Sequence, residues 1–401
     1  MKDENRIFGG VLLVAGTTIG GGMLGLPILI GVAGFLPSIF VSLLCWLFMA
    51  STGLLFLEVS QWLKGESNII SMAEKTLGIF GKVFAWILYI FLFNCLMVVY
   101  MVGSGNLVVQ LFGESIPAWL GPIISTLIFS PLIIVPTVFA ARLNNFLVAG
   151  LVLSYFGVVI LGLRYVNPYL LMNSRWSQAF HILPIAFISF AFQGIIPTLA
   201  TYMHHDAKNI RKAILIGSFI PFIAYTVWNA LILGVVPLEG DGGLLSTLEK
   251  GENAIMPLKN FINNPLVYDI GRAFAFFALV TSFLGVALGL RDFLADGLNI
   301  KRDLKGKIVL VFLVCTLPLI ISVSYPHVFL VALDYAGGFG SALLLGLLPI
   351  VMAWRGRYHL NLTGERQLPG GRVLLIVLCV FVCFEFLTEV KRLVERLMVN
   401  T

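Results

Sequence analysis

The chain has 401 residues, of which 59% are hydrophobic and only 11% are charged, and its formal net charge is +6. Ordinary soluble domains carry about 25% charged residues, so this composition excludes a soluble protein and a soluble enzyme with a single anchor. The apolar runs are long and continuous, which also excludes an outer-membrane barrel with its short alternating strands.

Eleven apolar segments follow one another along the chain, and each is close to the roughly 20 residues that a membrane-spanning helix needs. The predicted spans, numbered one to eleven, cover residues 7–31, 35–62, 83–112, 117–139, 143–163, 182–203, 213–236, 267–290, 308–323, 328–354 and 373–390. The first span is followed by ten others and shows no small-residue cleavage site, so it is not a removable signal peptide. We therefore predict an all-α membrane protein with 11 transmembrane helices in a single domain over residues 1–401.

Lysine and arginine are unevenly shared between the connections on the two sides of the predicted bundle. With the N-terminus in the cytoplasm, 18 of the 26 basic residues lie on the inner side and eight on the outer side. Cytoplasmic connections carry such an excess, so we expect a cytoplasmic N-terminus and a periplasmic C-terminus. This excess of basic residues on the cytoplasmic side also explains the positive net charge, so a nucleic-acid partner is not needed to account for it.

Span one contains three consecutive glycines, Gly20, Gly21 and Gly22, in the middle of its apolar run. Each glycine costs about 1 kcal/mol in a helix, so the stretch predicts an opened helix, which bilayer depth tolerates only inside protein or along a cavity. The N–H groups that begin its second half offer a positive dipole end to a carboxylate. A helix-packing face is the alternative, but such faces usually space their small residues. The candidate binding residues are Thr17, Thr18, Gly20, Gly21, Gly22 and Met23.

Span six is interrupted by Gly194 and Pro197, because proline removes a backbone donor and clashes with the preceding turn. Spans one and six lie five spans apart. Interrupted helices in corresponding positions indicate a transporter built from inverted repeats. We place the repeats at about 7–166 and 181–354, with 373–395 as an extra helix.

The first half of span six ends near Phe190 to Phe192, where its last carbonyl groups form a negative dipole end that suits an ammonium group. Opposite dipole ends at the bilayer midplane describe a site for a zwitterion, and therefore for an amino acid. The amide of Gln193 offers two donors and an acceptor, which predict either contact with the substrate or capping of loose carbonyls at the break. The candidate residues are Phe190, Ala191, Phe192 and Gln193.

Four stretches, 16–27, 189–202, 225–234 and 281–292, together resemble the aromatic and hydroxy amino acid permease family, and the last is most similar to its tyrosine-specific members. The resemblance implies a leucine-transporter-like fold in a bacterial inner membrane, proton-driven uptake and aromatic substrates, with tyrosine ahead of tryptophan or phenylalanine. A serine/threonine permease of the same family or a sodium-coupled symporter is the alternative. Where the family usually carries a histidine this chain has Gln193, so a titratable group is missing there.

Four further side chains at bilayer depth are candidate ligands. Asn94 in span three is predicted either to bind substrate or to form an interhelical hydrogen bond, worth only about 0.6 kcal/mol on average. Phe283 in span eight is a candidate wall of the substrate site. Thr281 and Ser282 lie where this fold can hold a sodium ion, although hydroxyls in spanning helices more often bond their own backbone.

Asp334 is the deepest acid on a predicted gating span. It follows the turn at Pro326 and lies roughly 10 Å deep at 1.5 Å per residue, which makes it a functional candidate by default. It is expected to be the proton carrier, an outer-gate partner of Arg272, or a group that reaches vestibule water.

The remaining acids in apolar runs are expected to be solvated. Glu385 and Glu389 lie one turn apart and are followed by Arg392 and Arg396, which predicts a charged helix face near the outer surface. Glu58 lies close to the inner end of span two and is expected to reach cytoplasmic water.

The combined expectation is a secondary active amino acid importer in which spans one, two, six and seven rock against spans three, four, eight and nine. A channel would need rings of polar groups, while an enzyme or an ATP-driven pump would show motifs that this sequence lacks. The expected partners are an amino acid, the lipid bilayer and a coupling proton or sodium ion. We expect no metal site, other cofactor, nucleic acid or obligatory protein partner.

Overall fold

The computed structural model describes residues 3–63, 68–112, 115–135, 137–301 and 303–399, and the regular structure within these ranges is helical, as predicted. The α-helices are α1 Asp3–Thr18, α2 Gly22–Ile30, α3 Phe35–Gln61, α4 Ile69–Leu111, α5 Leu120–Phe129, α6 Pro131–Ile134, α7 Thr137–Gly162, α8 Pro168–Leu171, α9 Leu183–Ser189, α10 Ile196–Tyr202, α11 Ala207–Val235, α12 Leu244–Glu249, α13 Leu258–Phe261, α14 Pro265–Gly297, α15 Leu304–Ser324, α16 Phe329–Tyr335, α17 Leu348–Tyr358 and α18 Gly371–Val399. Short 3₁₀ turns occupy Leu163–Tyr165, Trp176–Ile182 and Gln193–Ile195, and a π-helix occupies Ala336–Leu347. Three cations of the inner-side charge count, Lys2, Lys64 and Arg302, lie outside the described residues.

Most predicted spans correspond to long helices. Within the described ranges nine helices are long and apolar enough to cross a membrane, and the bent pair Asn5–Thr18 and Gly22–Ile30 raises the number to ten. Predicted span four, residues 117–139, falls short because α5 and α6 together form an apolar helix over Leu120–Ile134 only, which is shorter than a spanning helix. The count of eleven spans therefore stays a prediction.

The predicted boundary between spans four and five, at residues 139–143, is wrong. Helix α7 begins at Thr137 and runs through it, and the chain turns at Val135 instead. Arg291 of α14 donates to the carbonyl of Ile133 at 2.7 Å, so a distant cation satisfies the end of α6. Hydropathy along the chain does not reveal a cap of this kind.

Two spans are interrupted near their middle. Helices α1 and α2 are bent by 57° relative to each other. In span six, α9 ends at Ser189, and α10 begins at Ile196 after Phe192, whose φ of −141° and ψ of −5° are not helical. Because α2 packs against α9, the two interrupted spans are in direct contact.

Contacts between the long helices form two groups. In one group α11 packs against α1 and α3, and α3 packs against α9; in the other, α4 packs against α5, α14 and α15. Small residues allow such close approach in membrane proteins, and a Cβ at Gly217 of α11 would lie only 2.7 Å from Cβ of Val14 of α1. The first group contains helices of the spans predicted to rock, and the second group contains helices of the spans predicted to remain still. The rocking motion itself stays a prediction.

The π-helix Ala336–Leu347 is wedged between α9 and α18. A Cβ at Gly337 would overlap the carbonyl of Pro184 in α9, and a Cβ at Gly338 would lie 2.6 Å from Cγ of Glu389 in α18. Glycine is required at both positions because neighbouring helices occupy the space of a side chain. The last helix is therefore packed into the bundle through this segment.

The long predicted outer connection, residues 237–266, forms α12 and α13 and lies across α2. The N–H of Ala254 donates to the carbonyl of Leu24 at 2.9 Å. On the other side, Nδ1 of His327 lies 2.9 Å from the carbonyl oxygen of Lys250. The connection is thus tied both to the second half of span one and to the turn before α16.

Candidate functional site

The hydroxyl of Tyr225, on α11, lies between the two helix breaks. It is 2.7 Å from the carbonyl oxygen of Thr18 and 3.0 Å from that of Ser189, and it donates to both. These carbonyls belong to the last residues of α1 and α9, where a helix leaves acceptors unsatisfied. A single hydroxyl carries one proton, so the negative ends of both broken helices share one donor.

The positive end of α2 lies against span eight. The N–H of Gly21 donates to Oγ of Ser282 at 2.9 Å. The N–H groups of Met23 and Leu24 donate to the carbonyls of Gly20 and Gly21 at 3.0 and 3.1 Å. The sequence predicts that the N–H groups that begin the second half of span one, near Gly21 to Leu24, are free for a carboxylate. This expectation is wrong for three of the four, because a tight turn and Ser282 engage them.

The three glycines differ in how closely their neighbours approach. A Cβ at Gly20 would lie 2.5 Å from Oγ of Ser282, and a Cβ at Gly21 would lie 2.6 Å from Cε1 of Tyr100. At Gly22 the nearest atom, Oγ of Ser189, is 3.5 Å away, which is ordinary contact. Gly20 and Gly21 thus allow spans eight and three to approach the break, and Tyr100 becomes a site residue.

Ser189 is a site residue that the sequence reasoning missed. Its side chain is 2% exposed, and its hydroxyl has no hydrogen-bond partner among the described residues. Buried polar groups are nearly always paired, so an unpaired hydroxyl beside Gly22 and next to the break is a candidate ligand for substrate. The one sequence feature that pointed to Ser189 was its place at the start of the stretch 189–202, which resembles the permease family.

The two phenylalanines of the break face different neighbours. The ring of Phe190 lies 5.4 Å from the ring of Tyr225, centroid to centroid. Phe192 instead packs on α3, where a Cβ at Gly53 would lie 2.6 Å from its Cζ. Of these two rings, Phe190 therefore packs on the ring that carries the shared hydroxyl, while Ala191 between them is half-buried.

Gln193 is fully buried and joins the break to α3. Its Oε1 accepts a hydrogen bond from the N–H of Phe192 at 2.9 Å. Its Nε2 donates to the carbonyl of Met49 at 3.1 Å and to Oγ1 of Thr52 at 2.9 Å. Because both donors are engaged, direct contact with substrate through them requires α3 to move, and the substrate role of Gln193 stays a prediction.

Several other predicted ligands bond their own helices. The side chains of Thr17, Thr18, Asn94 and Thr281 donate to the carbonyls of Leu13, Val14, Ile90 and Phe277, each four residues earlier, at 2.7 to 2.8 Å. Such bonds are the common state of hydroxyls in spanning helices. The ring of Phe283 lies 5.9 Å from that of Phe129 on α5. Their roles in binding substrate or ion stay predictions, and the structure does not bring these side chains together.

Asp334 is engaged by the last helix. It is 2% exposed and accepts hydrogen bonds from Nη2 of Arg392 at 2.7 Å and from Nη2 of Arg396 at 2.9 Å. The predicted pairing with Arg272 is wrong, since that guanidinium lies 5.8 Å from the ring centre of Tyr268. Contact with vestibule water is also wrong, because α18 covers the carboxylate.

The acids predicted to be solvated are buried. Glu385 and Glu389 are 0% exposed, and the π-helix packs directly on Glu389 through Gly338. Glu58 is 1% exposed, and its oxygens accept hydrogen bonds from Nε and Nη2 of Arg357 at 2.6 and 2.7 Å and from the N–H of Gln367 at 2.9 Å. A cavity of about 260 Å³ adjoins this ion pair rather than the helix breaks.

An all-helical bundle in which the carbonyl ends of two interrupted helices share one hydroxyl is typical of the leucine-transporter-like fold. The crystal structure of MhsT in complex with L-phenylalanine is similar to this chain with a TM-score of 0.58. The match covers 95% of this chain and 97% of that chain at 15% identity. The predicted fold is confirmed.

Sequence comparison identifies the family. Residues 3–389 match the tryptophan/tyrosine permease family, and the chain belongs to it. Tyrosine-specific transport system 2 of Haemophilus influenzae is 31% identical over 381 residues, 93% of each chain. The tryptophan-specific transport protein of Shigella flexneri is 27% identical over 387 residues, 94% of this chain and 92% of that one. The protein is therefore a multi-pass membrane transporter and, as predicted, not an enzyme.

Proposed function

We propose that the protein imports aromatic amino acids, tyrosine first and tryptophan or phenylalanine second, by proton symport across a bacterial inner membrane. The observation that carries the proposal is the Tyr225 hydroxyl shared by the carbonyls of Thr18 and Ser189. It shows a point where two negative helix ends converge beside an aromatic ring. The printed names of the tyrosine- and tryptophan-specific relatives support aromatic substrates.

The parts of a zwitterion fit different parts of this site. The start of α2 at Gly22 suits the carboxylate, because a helix N-terminus carries positive charge and the N–H of Gly22 is the one of the four from Gly21 to Leu24 that neither the turn nor Ser282 engages. The carbonyl ends at Thr18 and Ser189 suit the ammonium group. The unpaired Ser189 hydroxyl is available to either, and Phe190 offers a ring for edge-to-face packing, worth about 0.5 to 1.5 kcal/mol beyond burial.

Sodium is the second candidate for the coupling ion. Ser282 of span eight faces the break in span one, with its hydroxyl oxygen 2.9 Å from the Gly21 nitrogen. Hydroxyl and carbonyl oxygens in such a place are ligands that a hard cation accepts. This is the specific observation that keeps sodium coupling as an alternative.

Counterflow uptake in proteoliposomes tests the proposal. Vesicles loaded with tyrosine, tryptophan, phenylalanine or serine are compared for uptake of labelled tyrosine, and net accumulation is then measured under an imposed proton or sodium gradient. We expect the three aromatic amino acids to support exchange, serine to fail, and the proton gradient to drive accumulation. Serine exchanging as well as tyrosine would instead indicate a serine/threonine permease, and accumulation that requires sodium would reassign the ion.

A further inference from the structure

Two glutamates of α18 are buried without hydrogen-bond donors. Glu385 and Glu389 are 0% exposed, and none of their four carboxylate oxygens accepts a hydrogen bond within the described chain. Nη1 of Arg392 lies 3.0 Å from Oε2 of Glu389, but it is not aligned as a donor. A carboxylate buried in this way is costly to keep ionised, so the pair is suited to hold a proton.

The charges around the pair do not balance. Asp334 accepts hydrogen bonds from both Arg392 and Arg396. The cluster therefore contains two positive guanidinium groups and three carboxyl groups, those of Asp334, Glu385 and Glu389. With all three carboxyl groups ionised, the cluster would carry one excess negative charge inside the protein, and one bound proton removes it. Since Asp334 holds both direct hydrogen bonds, the proton belongs on Glu385 or Glu389.

Other titratable groups face this cluster from the neighbouring elements. They are Cys45 of α3, His181 of the turn before α9, Tyr335 of α16, and Lys391 and Glu395 of α18. Lys391 and Glu395 are exposed and pair with each other at 3.7 Å, so they add little. His181 titrates near neutral pH when unperturbed, and its contribution has to be separated by experiment.

The glutamate pair also contacts an element that reaches the helix breaks. A Cβ at Gly338 of the π-helix would lie 2.6 Å from Cγ of Glu389, and one at Gly337 would overlap the carbonyl of Pro184. Pro184 belongs to α9, which ends at Ser189 in the candidate site. π-helical segments are rare and frequently occur at functional sites. A change of charge on Glu389 therefore acts on the packing of a segment that also packs on α9.

We propose that Glu385 and Glu389 together bind one proton and that this proton is the coupling ion. Binding forms one O–H bond on a glutamate oxygen, and release to the opposite side breaks it. The proton site stands on the geometry of α18 and its neighbours. Its coupling to uptake rests on the proposed function.

Infrared spectroscopy of the full-length protein in lipid tests the proton site directly. A protonated carboxyl group shows a C=O stretching band that an ionised carboxylate lacks, and we expect this band at neutral pH. Glu385→Gln and Glu389→Gln should each abolish it, because either change leaves two acids for two arginines. Glu395→Gln, on the exposed face of the same helix, and His181→Gln should keep it. A band that persists in the double variant Glu385→Gln/Glu389→Gln overturns the site.

A transport measurement tests the coupling separately. Glu385→Gln should lose accumulation driven by a proton gradient but keep counterflow exchange, which needs no net proton movement. Continued accumulation in a variant that has lost the infrared band would overturn the coupling and leave the proton site standing. If the wild-type protein exchanges no aromatic amino acid, the proposed function fails, while the infrared result still decides the proton site.

Discussion

The N–H of Gly21 donates to Oγ of Ser282 at 2.9 Å across 261 residues of sequence. This hydrogen bond joins the start of α2 to the middle of α14, and so joins a helix of the predicted moving group to one of the predicted scaffold. Tyr100 of α4 also approaches this end of α2, because a Cβ at Gly21 would lie 2.6 Å from its Cε1. The positive end of α2 is thus held by two spans on the scaffold side, and small changes there have defined consequences.

Gly21→Ala should abolish counterflow uptake. Its Cβ would lie 2.6 Å from Cε1 of Tyr100, and overpacking of this kind costs about 1 to 3 kcal/mol. Gly16→Ala is the matched control in the same span, because no atom lies within 4 Å of that Cβ. Both proteins are compared for folding by their elution from a sizing column in detergent. Wild-type uptake by Gly21→Ala would contradict the close approach of Tyr100.

Tyr225→Phe should destabilise the protein and weaken substrate exchange. The change leaves the buried carbonyls of Thr18 and Ser189 without their shared donor, and an unsatisfied buried polar group costs about 1 to 3 kcal/mol. Thermal unfolding in detergent and exchange in proteoliposomes measure the two effects. The control is Tyr155→Phe, which removes a hydroxyl that donates to a single carbonyl, that of Ala224, at 2.9 Å. Equal effects of the two changes would contradict the conclusion that the Tyr225 hydroxyl satisfies the carbonyls of both helix breaks.

Ser282→Ala should lower the affinity for tyrosine more than Thr281→Ala does. Ser282 accepts from Gly21 at the break, whereas the hydroxyl of Thr281 donates to its own helix at Phe277. Binding is measured by competition in the counterflow assay, with and without sodium. A loss of sodium dependence in Ser282→Ala, starting from a sodium-dependent wild type, would make this hydroxyl an ion ligand and would refute proton coupling.

Glu58→Gln should be strongly destabilising. Removing one partner of a buried ion pair costs about 3 to 5 kcal/mol, and Arg357 would lose the carboxylate that accepts two of its hydrogen bonds. Glu365→Gln, at an exposed position of the following connection, is the control. Unfolding in denaturant should separate the two variants. The double change Glu58→Gln/Arg357→Met should recover part of the loss, and equal stability of the two single variants would contradict the buried pair.

The helix breaks could be predicted because their causes are local. Three glycines in succession disfavour a helix wherever they occur, and Gly194 with Pro197 acts in the same way. The capping of the breaks could not be predicted, since Tyr225 lies 207 residues from Thr18 and only the folded bundle brings them together. The hydrogen bonds that Gln193 donates could not be predicted for the same reason, because their acceptors lie on α3, far away in the sequence.

The environment of the last helix was also beyond local reasoning. Glu385 and Glu389 share a face with two arginines, which is equally typical of a solvated surface and of a buried network. What decides between these is the close approach that Gly337 and Gly338 allow, and this depends on the fold. The missed boundary before α7 has a similar origin, because a cation of α14 satisfies the end of α6.

Helix α11 holds span one on both sides of its break, through Tyr225 to the carbonyl of Thr18 and through the indole of Trp228 to the carbonyl of Met23 at 2.9 Å. The two donors are about one turn apart on a continuous helix, so α11 fixes the position of α1 relative to α2. A change in the 57° bend would break one of these bonds unless α11 bends as well. If spans one, two, six and seven rock as predicted, we therefore expect α1, α2 and α11 to move as one unit, with the hinge outside the gap between α1 and α2.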